Sequence, residues 1–291
     1  NKFEYKSRWK SGLFLYMIKT VAIQGVKGSF HHIVSQEYFN KPVDVIECLT
    51  FDEVVESLIS KKSDAVIMAL ENSIAGSIIP NYALINKYDL HVVGEHYLDI
   101  QHNLMALPNQ TIDDIKEVYS HPMALLQCMD FFQAYPHIKL VEDKDTAEVA
   151  ERIHKRELKN VGAIASVMAA DIFELDILAR SIQTIKHNET RFAIVKRENS
   201  EIPENEINKA SLKFETDHKR GSLAAILNVM SDCKLNLTKI QSLPIIETPW
   251  KYSFFVDVTF ETYNDFSKAK AILKIMAQGM KILGEYKNAK L

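Results

Sequence analysis

Six consecutive apolar residues, Ala65 to Leu70, run straight into Glu71-Asn72-Ser73. A short continuous apolar run of this kind reads as a strand buried on both faces. Such a strand needs helices above and below it, which commits the chain to an α/β architecture. Polar residues at the C-terminal end of a buried strand, just ahead of the turn at Gly76, stand where open α/β sheets bind ligands.

The flanking pattern agrees. Val21-Ala22-Ile23 reads as a strand, Gln24 to Ser29 as a glycine turn and Phe30 to Phe39 as a helix. Val43 to Ile46 is a strand. Phe51, Val54, Val55, Leu58 and Ile59 form a helical stripe behind a Thr50–Glu53 capping box. A helix at Ile79 to Asn86 and a strand at Leu90 to Gly94 follow. Short connections between alternating elements predict a mostly parallel sheet.

A second α/β unit has strands at 103–107, 117–120, 138–141 and 161–165. Its helices are a short piece at 111–115, then Pro122 to Tyr135, Asp143 to Leu158 and Ser166 to Glu174. Asn188-Glu189-Thr190-Arg191-Phe192 then reads as a polar turn entering the strand Ala193-Ile194-Val195, which places a hydroxyl and a guanidinium at the mouth of a sheet. Glu198 to Asn208 is polar and aperiodic, hence a linker. After it, strands at 210–216, 235–243, 250–259 and 281–286 and helices at 221–233 and 266–276 give the ferredoxin-like order β-α-β-β-α-β. Helices cover one face of that sheet, and self-association is the expected cover for the other.

With 291 residues the chain can build one large core and a smaller one. A net charge of −3 gives no general pull toward nucleic acid or an anionic membrane, and neither is expected as a partner. Leu13 to Ile18 is far short of a membrane span, so Asn1 to Met17 reads as a leader or extension. Cys48, Cys128 and Cys233 lie far apart with no metal-type spacing. They point to buried thiols in a reducing, cytoplasmic setting, with no metal site.

Four polar clusters remain. Gly25-Val26-Lys27-Gly28-Ser29-Phe30-His31-His32 is either an anion site at a helix start or a tight turn with two exposed histidines. Glu71-Asn72-Ser73 with Gly76 is a ligand site or a solvated strand end. His121-Pro122 is a functional histidine or a helix cap. Arg191 can take a carboxylate bidentately or pair with a surface Asp, and Thr190 can serve a leaving oxygen or satisfy a turn. No triad spacing and no nucleotide loop is present. Metal-free chemistry on an anionic small molecule is what these residues support.

Together the segments resemble the prephenate dehydratase family. The likeness rests on Gly25 to His32, Glu71-Asn72-Ser73-Ile74-Ala75-Gly76-Ser77-Ile78, His121-Pro122-Met123-Ala124-Leu125-Leu126-Gln127-Cys128, Asp145-Thr146-Ala147, Gly162 to Ser166 and Asn188 to Phe192, in the family's order. The C-terminal part resembles an ACT domain through Gly221-Ser222-Leu223 and Asn236 to Pro244.

The resemblance implies a two-lobed catalytic region of the periplasmic-binding-protein kind over 18–198. One lobe would hold about 18–96 and 184–198, the other about 97–183, with a linker at 199–208 and the ACT domain at 209–291. It implies decarboxylative dehydration of prephenate to phenylpyruvate, carbon dioxide and water, without a cofactor because aromatisation drives the step. Thr190 would be the catalytic residue. Gly28, Ser29, His31, Glu71, Asn72, Ser73, Gly76, His121, Arg191 and Phe192 would bind substrate. L-Phenylalanine would act as effector at Gly221, Ser222, Leu223, Asn236 and Leu237, between the ACT modules of a homodimer or homotetramer.

Three places depart from the family pattern. His31 stands where Ser or Thr is common and Met123 where Gln is common, and Gln241-Ser242-Leu243-Pro244 replaces Glu-Ser-Arg-Pro. Two other readings stay open: the same reaction on arogenate, and a non-catalytic sensor of amino or aromatic acids.

Overall fold

The structure is a computed structural model describing residues 18–199, 202–216, 219–245 and 251–290. The expectations for residues 1–17, for Trp250 and for part of the linker lie outside the described residues. The chain opens with β1 (Thr20–Gln24), α1 (Phe30–Phe39), β2 (Asp44–Cys48), α2 (Phe51–Ile59) and β3 (Ala65–Asn72). Next come β4 (Gly76–Ser77), α3 (Ile79–Lys87) and β5 (His91–Asp99). A second run has β6 (Asn103–Ala106), β7 (Glu117–Ser120), α4 (Pro122–Phe132), β8 (Lys139–Glu142), α5 (Thr146–Arg156), β9 (Val161–Ala165), α6 (Val167–Ile172) and β10 (Asp176–Ala179). After β11 (Glu189–Lys196) the last part holds β12 (Lys209–Glu215), α7 (Ser222–Asp232), β13 (Asn236–Pro244), β14 (Tyr252–Thr259), α8 (Tyr263–Met276) and β15 (Gln278–Tyr286).

These strands form three sheets. The first runs β2-β1-β3-β11-β5 with β4 on β3, the second β10-β6-β9-β7-β8, and the third β13-β14-β12-β15. β1 is parallel to both β2 and β3. Ala65 to Leu70 is buried throughout, as a strand covered on both faces must be. The second sheet is mixed. β7 is parallel to β8 and β9, but β6 is antiparallel to β9 and to β10. β10 has no flanking glycine or proline in sequence to mark it, and it pairs with β6 through a register shift.

By contacts the chain divides into two compact units. One joins Thr20–Gly76 to Tyr97–Phe192, the other joins Ser77–His96 to Ala193–Leu291. In the second unit the strand order of the third sheet is that of a ferredoxin-like fold, with the described pairs antiparallel. Its helix-side core gathers Leu212, Phe214, Val256 and Val258 with Ile226, Met230, Phe266 and Leu273. Ile202 and Ile207, from the expected linker, pack on that core, so this part of the linker is fastened down.

The opposite face of the third sheet carries Lys209, Ser211, Phe255 and Asp257, all buried. Its cover is the chain's own 77–96 segment, where self-association had been expected. Tyr82 meets Phe255 edge-on at 5.6 Å. Gly284 sits so close to the Val92 carbonyl that a Cβ would stand 2.1 Å from its oxygen. Lys209 Nζ donates to both Glu95 oxygens at 2.9 and 2.8 Å, and Ala289 N–H adds a third donor at 3.2 Å. Lys239 reaches Ser77, and Lys281 reaches Asp89.

Removing one member of a buried ion pair strands the other in low dielectric. Glu95→Gln is therefore expected to cost about 3–5 kcal/mol in urea unfolding, with Glu95→Gln/Lys209→Met recovering part of it. A double variant as unstable as the sum of its parts would contradict this cover.

Candidate active site

The site is built where β3 and β11 end side by side. Ser73 N–H donates to the Glu189 carbonyl at 2.8 Å, and Ser73 Oγ accepts from Glu189 N–H at 3.0 Å. These bonds draw both polar segments into strand register. β3 therefore runs through Glu71 and Asn72, and β11 begins at Glu189. This corrects the reading of Asn188 to Phe192 as a turn: Thr190, Arg191 and Phe192 are strand residues, and all three are buried.

Asn72 ties the cluster together. Its Oδ1 accepts from Ile74 N–H at 3.0 Å and Ala75 N–H at 2.8 Å. Its Nδ2 donates to Asn188 Oδ1 at 2.7 Å and to Thr190 Oγ1 at 2.9 Å. Two backbone donors fix which end of the amide is oxygen, so the nitrogen must face Thr190. With that lone pair occupied, the Thr190 hydroxyl hydrogen is directed away from Asn72.

Strand alternation puts Thr190 and Phe192 on one face of β11 and Arg191 on the other. Phe192 packs at 5.0 Å against the ring of His31, which also meets Phe51 at 5.6 Å. His31 and His32 are buried, which overturns the exposed-histidine alternative for this turn. Burial pulls the His31 imidazole down to about 3, so it stays neutral behind the Thr190 face.

The glycine turn is closed on itself. Gly28 N–H donates to His32 Nδ1 at 3.0 Å, and Ser29 N–H to the Val26 carbonyl at 3.0 Å. Ser29 Oγ caps α1 by accepting from His32 N–H. The N–H groups of Gly28 and Ser29 are thus used within the turn. Gly28 has φ +89, and a Cβ there would lie 2.8 Å from Ala169 Cα. Ser166 Oγ donates to the Gly28 carbonyl at 2.6 Å. Gly25 has φ +94 and faces Asp145, whose Oδ1 caps α5 by accepting from Ala147 and Glu148 N–H.

Glu71 is half-buried at the end of β3, and Gly76 takes its φ of +81 in open space. His121 is exposed at the start of α4, where its Nδ1 accepts from Met123 N–H at 3.2 Å. Among the described residues no group of three or more His, Cys, Asp or Glu could hold a metal ion.

In the other unit, a cavity of about 630 Å³ lies at the start of α7. Lys219, Arg220, Gly221, Ser222, Leu223 and Lys251 are among the residues that line it; Asn236 and Leu237, at the start of β13, are not. Gly221 has φ +83 and gives the helix no side-chain cap.

Sequence reasoning missed the amides behind Asn72. Asn188 Nδ2 donates to Gln127 Oε1 at 2.8 Å, and Gln127 Oε1 lies 2.9 Å from His102 Nε2. Isolated amides carry no recognisable spacing, and only the fold brings these positions together.

The sequence model of the prephenate dehydratase family matches residues 21–200. The chain belongs to the prephenate dehydratase family. It is similar to a bifunctional chorismate mutase/prephenate dehydratase of Buchnera aphidicola from Acyrthosiphon pisum, 32% identical over 272 residues, covering 92% of this chain and 70% of the relative. An Arabidopsis thaliana chloroplastic protein named arogenate dehydratase/prephenate dehydratase 2 is 32% identical over 276 residues, covering 91% and 72%.

Among solved structures, the Arthrobacter aurescens prephenate dehydratase in complex with L-Phe superposes with TM-score 0.83 at 23% identity, covering 93% of this chain and 90% of that one. GqqA, described as a novel type of quorum quenching acylase, gives 0.84 at 25% identity, covering 93% and 98%. The fold is thus the α/β architecture of this family, with the part that the family model matches followed by a ferredoxin-like module.

The buried histidines set a pH dependence. His31 is held at about 3 and His102 at about 4, against an ordinary 6.5, both chiefly by burial. Below pH 6.5 the unfolded chain binds protons that the folded one refuses. Stability is therefore full above that pH and falls on acidification, by about 1.4 kcal/mol per pH unit for each histidine. Urea unfolding at falling pH is expected to show a shallower loss in His31→Phe; an unchanged slope would contradict the assignment.

Proposed function

We propose that the chain is a prephenate dehydratase whose chemistry centres on Thr190. Prephenate carries a ring carboxylate at one end of a cyclohexadiene and a hydroxyl at the other. The electron pair of the carboxylate C–C bond moves into the ring, carbon dioxide leaves, and the C–O bond to the hydroxyl breaks. With one proton taken up, the products are phenylpyruvate, carbon dioxide and water. Aromatisation drives the step, so the protein has to orient the substrate and ease departure of hydroxide.

The observation that carries this reading is the Asn72–Thr190 hydrogen bond. A threonine whose oxygen already accepts from an amide presents its O–H as an oriented donor. Such a donor stabilises charge developing on the departing oxygen better than it transfers a proton from bulk. Glu71, Ser73, Gly76 and His121 are the proposed surroundings of the substrate. His31 and Phe192 form the apolar backing, which weakens hydration of the carboxylate that is lost. Arg191 organises the strand from its other face. An acylase role like that named for GqqA, with Thr190 as nucleophile, would need a base on Thr190, and the Asn72 amide is not one.

The relative named for arogenate makes that compound the second substrate to assay. The cavity at Gly221, Ser222 and Leu223 is the proposed effector site for L-phenylalanine. The ferredoxin-like part from about 209 onward acts as the ACT regulatory domain of a homodimer or homotetramer. The free thiols Cys48, Cys128 and Cys233 suit a cytoplasmic setting.

Thr190→Val is expected to lower kcat by about 100-fold or more with KM little changed, and Thr190→Ser to keep much of the rate. Phenylpyruvate formation from prephenate, with arogenate in parallel, is the assay. Full turnover by Thr190→Val would overturn the assignment, and no turnover of either compound by the folded wild type would favour the sensor reading.

A further inference from the structure

The amide chain behind Thr190 has a direction, and the direction can be followed residue by residue. Ile74 and Ala75 N–H groups commit Asn72 Oδ1 as an acceptor, so Asn72 Nδ2 donates to Asn188 Oδ1. Asn188 must then donate through its Nδ2, and it does so to Gln127 Oε1. Gln127 Oε1 is therefore an acceptor, and the His102 nitrogen 2.9 Å from it has to carry a proton.

His102 is well placed to hold that end. Its own N–H donates to Gln183 Oε1 at 3.0 Å, and its carbonyl accepts from Ile182 N–H at 2.8 Å. Its ring lies edge-on to Phe30 at 5.7 Å and is 4% exposed as a residue. Nδ1 has no hydrogen-bond partner among the described residues. A neutral imidazole with its proton on Nε2 satisfies every one of these constraints, and burial keeps the ring in that neutral state.

We propose that His102 is a positioning residue for Thr190, acting as a fixed Nε2–H donor that locks the Gln127 amide and, through Asn188 and Asn72, aims the Thr190 hydroxyl. The consequence lies in what a free Gln127 amide would do. Flipped, it would turn an N–H₂ toward the Asn188 N–H₂. Asn188 would then have to rotate, and Asn72, its oxygen still held by the Ile74 and Ala75 N–H groups, would lose the second acceptor of its nitrogen, which sets the angle at which that nitrogen meets Thr190. The inference rests on the reading of Thr190 as the oriented donor, and its test separates the two.

In His102→Leu, kcat for prephenate is expected to fall roughly tenfold with KM unchanged, the size of one misdirected hydrogen bond. His102→Gln places an amide N–H at similar reach and is expected to restore most of the rate. Long-range ¹H–¹⁵N spectra of the wild-type protein are expected to show His102 as the Nε2–H tautomer, and this reading needs no variant to fold. An Nδ1–H tautomer, a wild-type kcat in folded His102→Leu, or an equal loss in His102→Gln would each overturn the inference. Thr190→Val belongs in the same assay: if it is fully active, the Thr190 reading itself fails, whereas an inactive Thr190→Val beside a fully active His102→Leu sinks only the role of His102.

Discussion

The Asn72 side chain is the constraint on which the site depends. One amide closes the turn after β3 with its oxygen and holds Thr190 and Asn188 with its nitrogen. Neither half works alone. Without the two backbone donors the amide is free to flip, and without the nitrogen the threonine hydroxyl is free to rotate. A neutral amide is suited to this place because it supplies both an acceptor and a donor without adding charge beside a dianionic substrate.

A second buried polar contact does comparable work for the C-terminal module. The Lys209–Glu95 pair, with Ala289 N–H as a further donor, fastens one face of the ferredoxin-like sheet to the 77–96 segment. The face is polar yet buried. Ser211 bonds to Asp257 and to the Tyr286 hydroxyl within it. Buried polar groups that are fully satisfied fix one arrangement rather than many, because any other packing leaves them unpaired.

Much of the fold was legible because buried strands and helical stripes leave strong periodic signals. β7 and β9 fall on their expected residues, and α1 does as well. The start of β11 was not legible, since Asn188-Glu189-Thr190 is as polar as a turn and becomes strand only by pairing with the end of β3. One of the two readings of the glycine turn left His31 and His32 on the surface; the rings of Phe51 and Phe192 that enclose His31 come from distant parts of the chain. Lys209, Ser211 and Lys213 alternate along β12 like a solvated face, and nothing near them in sequence announces Glu95. Of the site, the residue types at the strand ends could be read, but not the order in which their amides connect.

The measurement that tests the account most directly is a double-mutant cycle on kcat for prephenate with Asn72→Ala and Thr190→Val. If Asn72 serves catalysis by aiming the Thr190 hydroxyl, the double variant should be no slower than Thr190→Val alone, to within about threefold. Losses that multiply would show Asn72 and Thr190 acting separately, and would contradict the account.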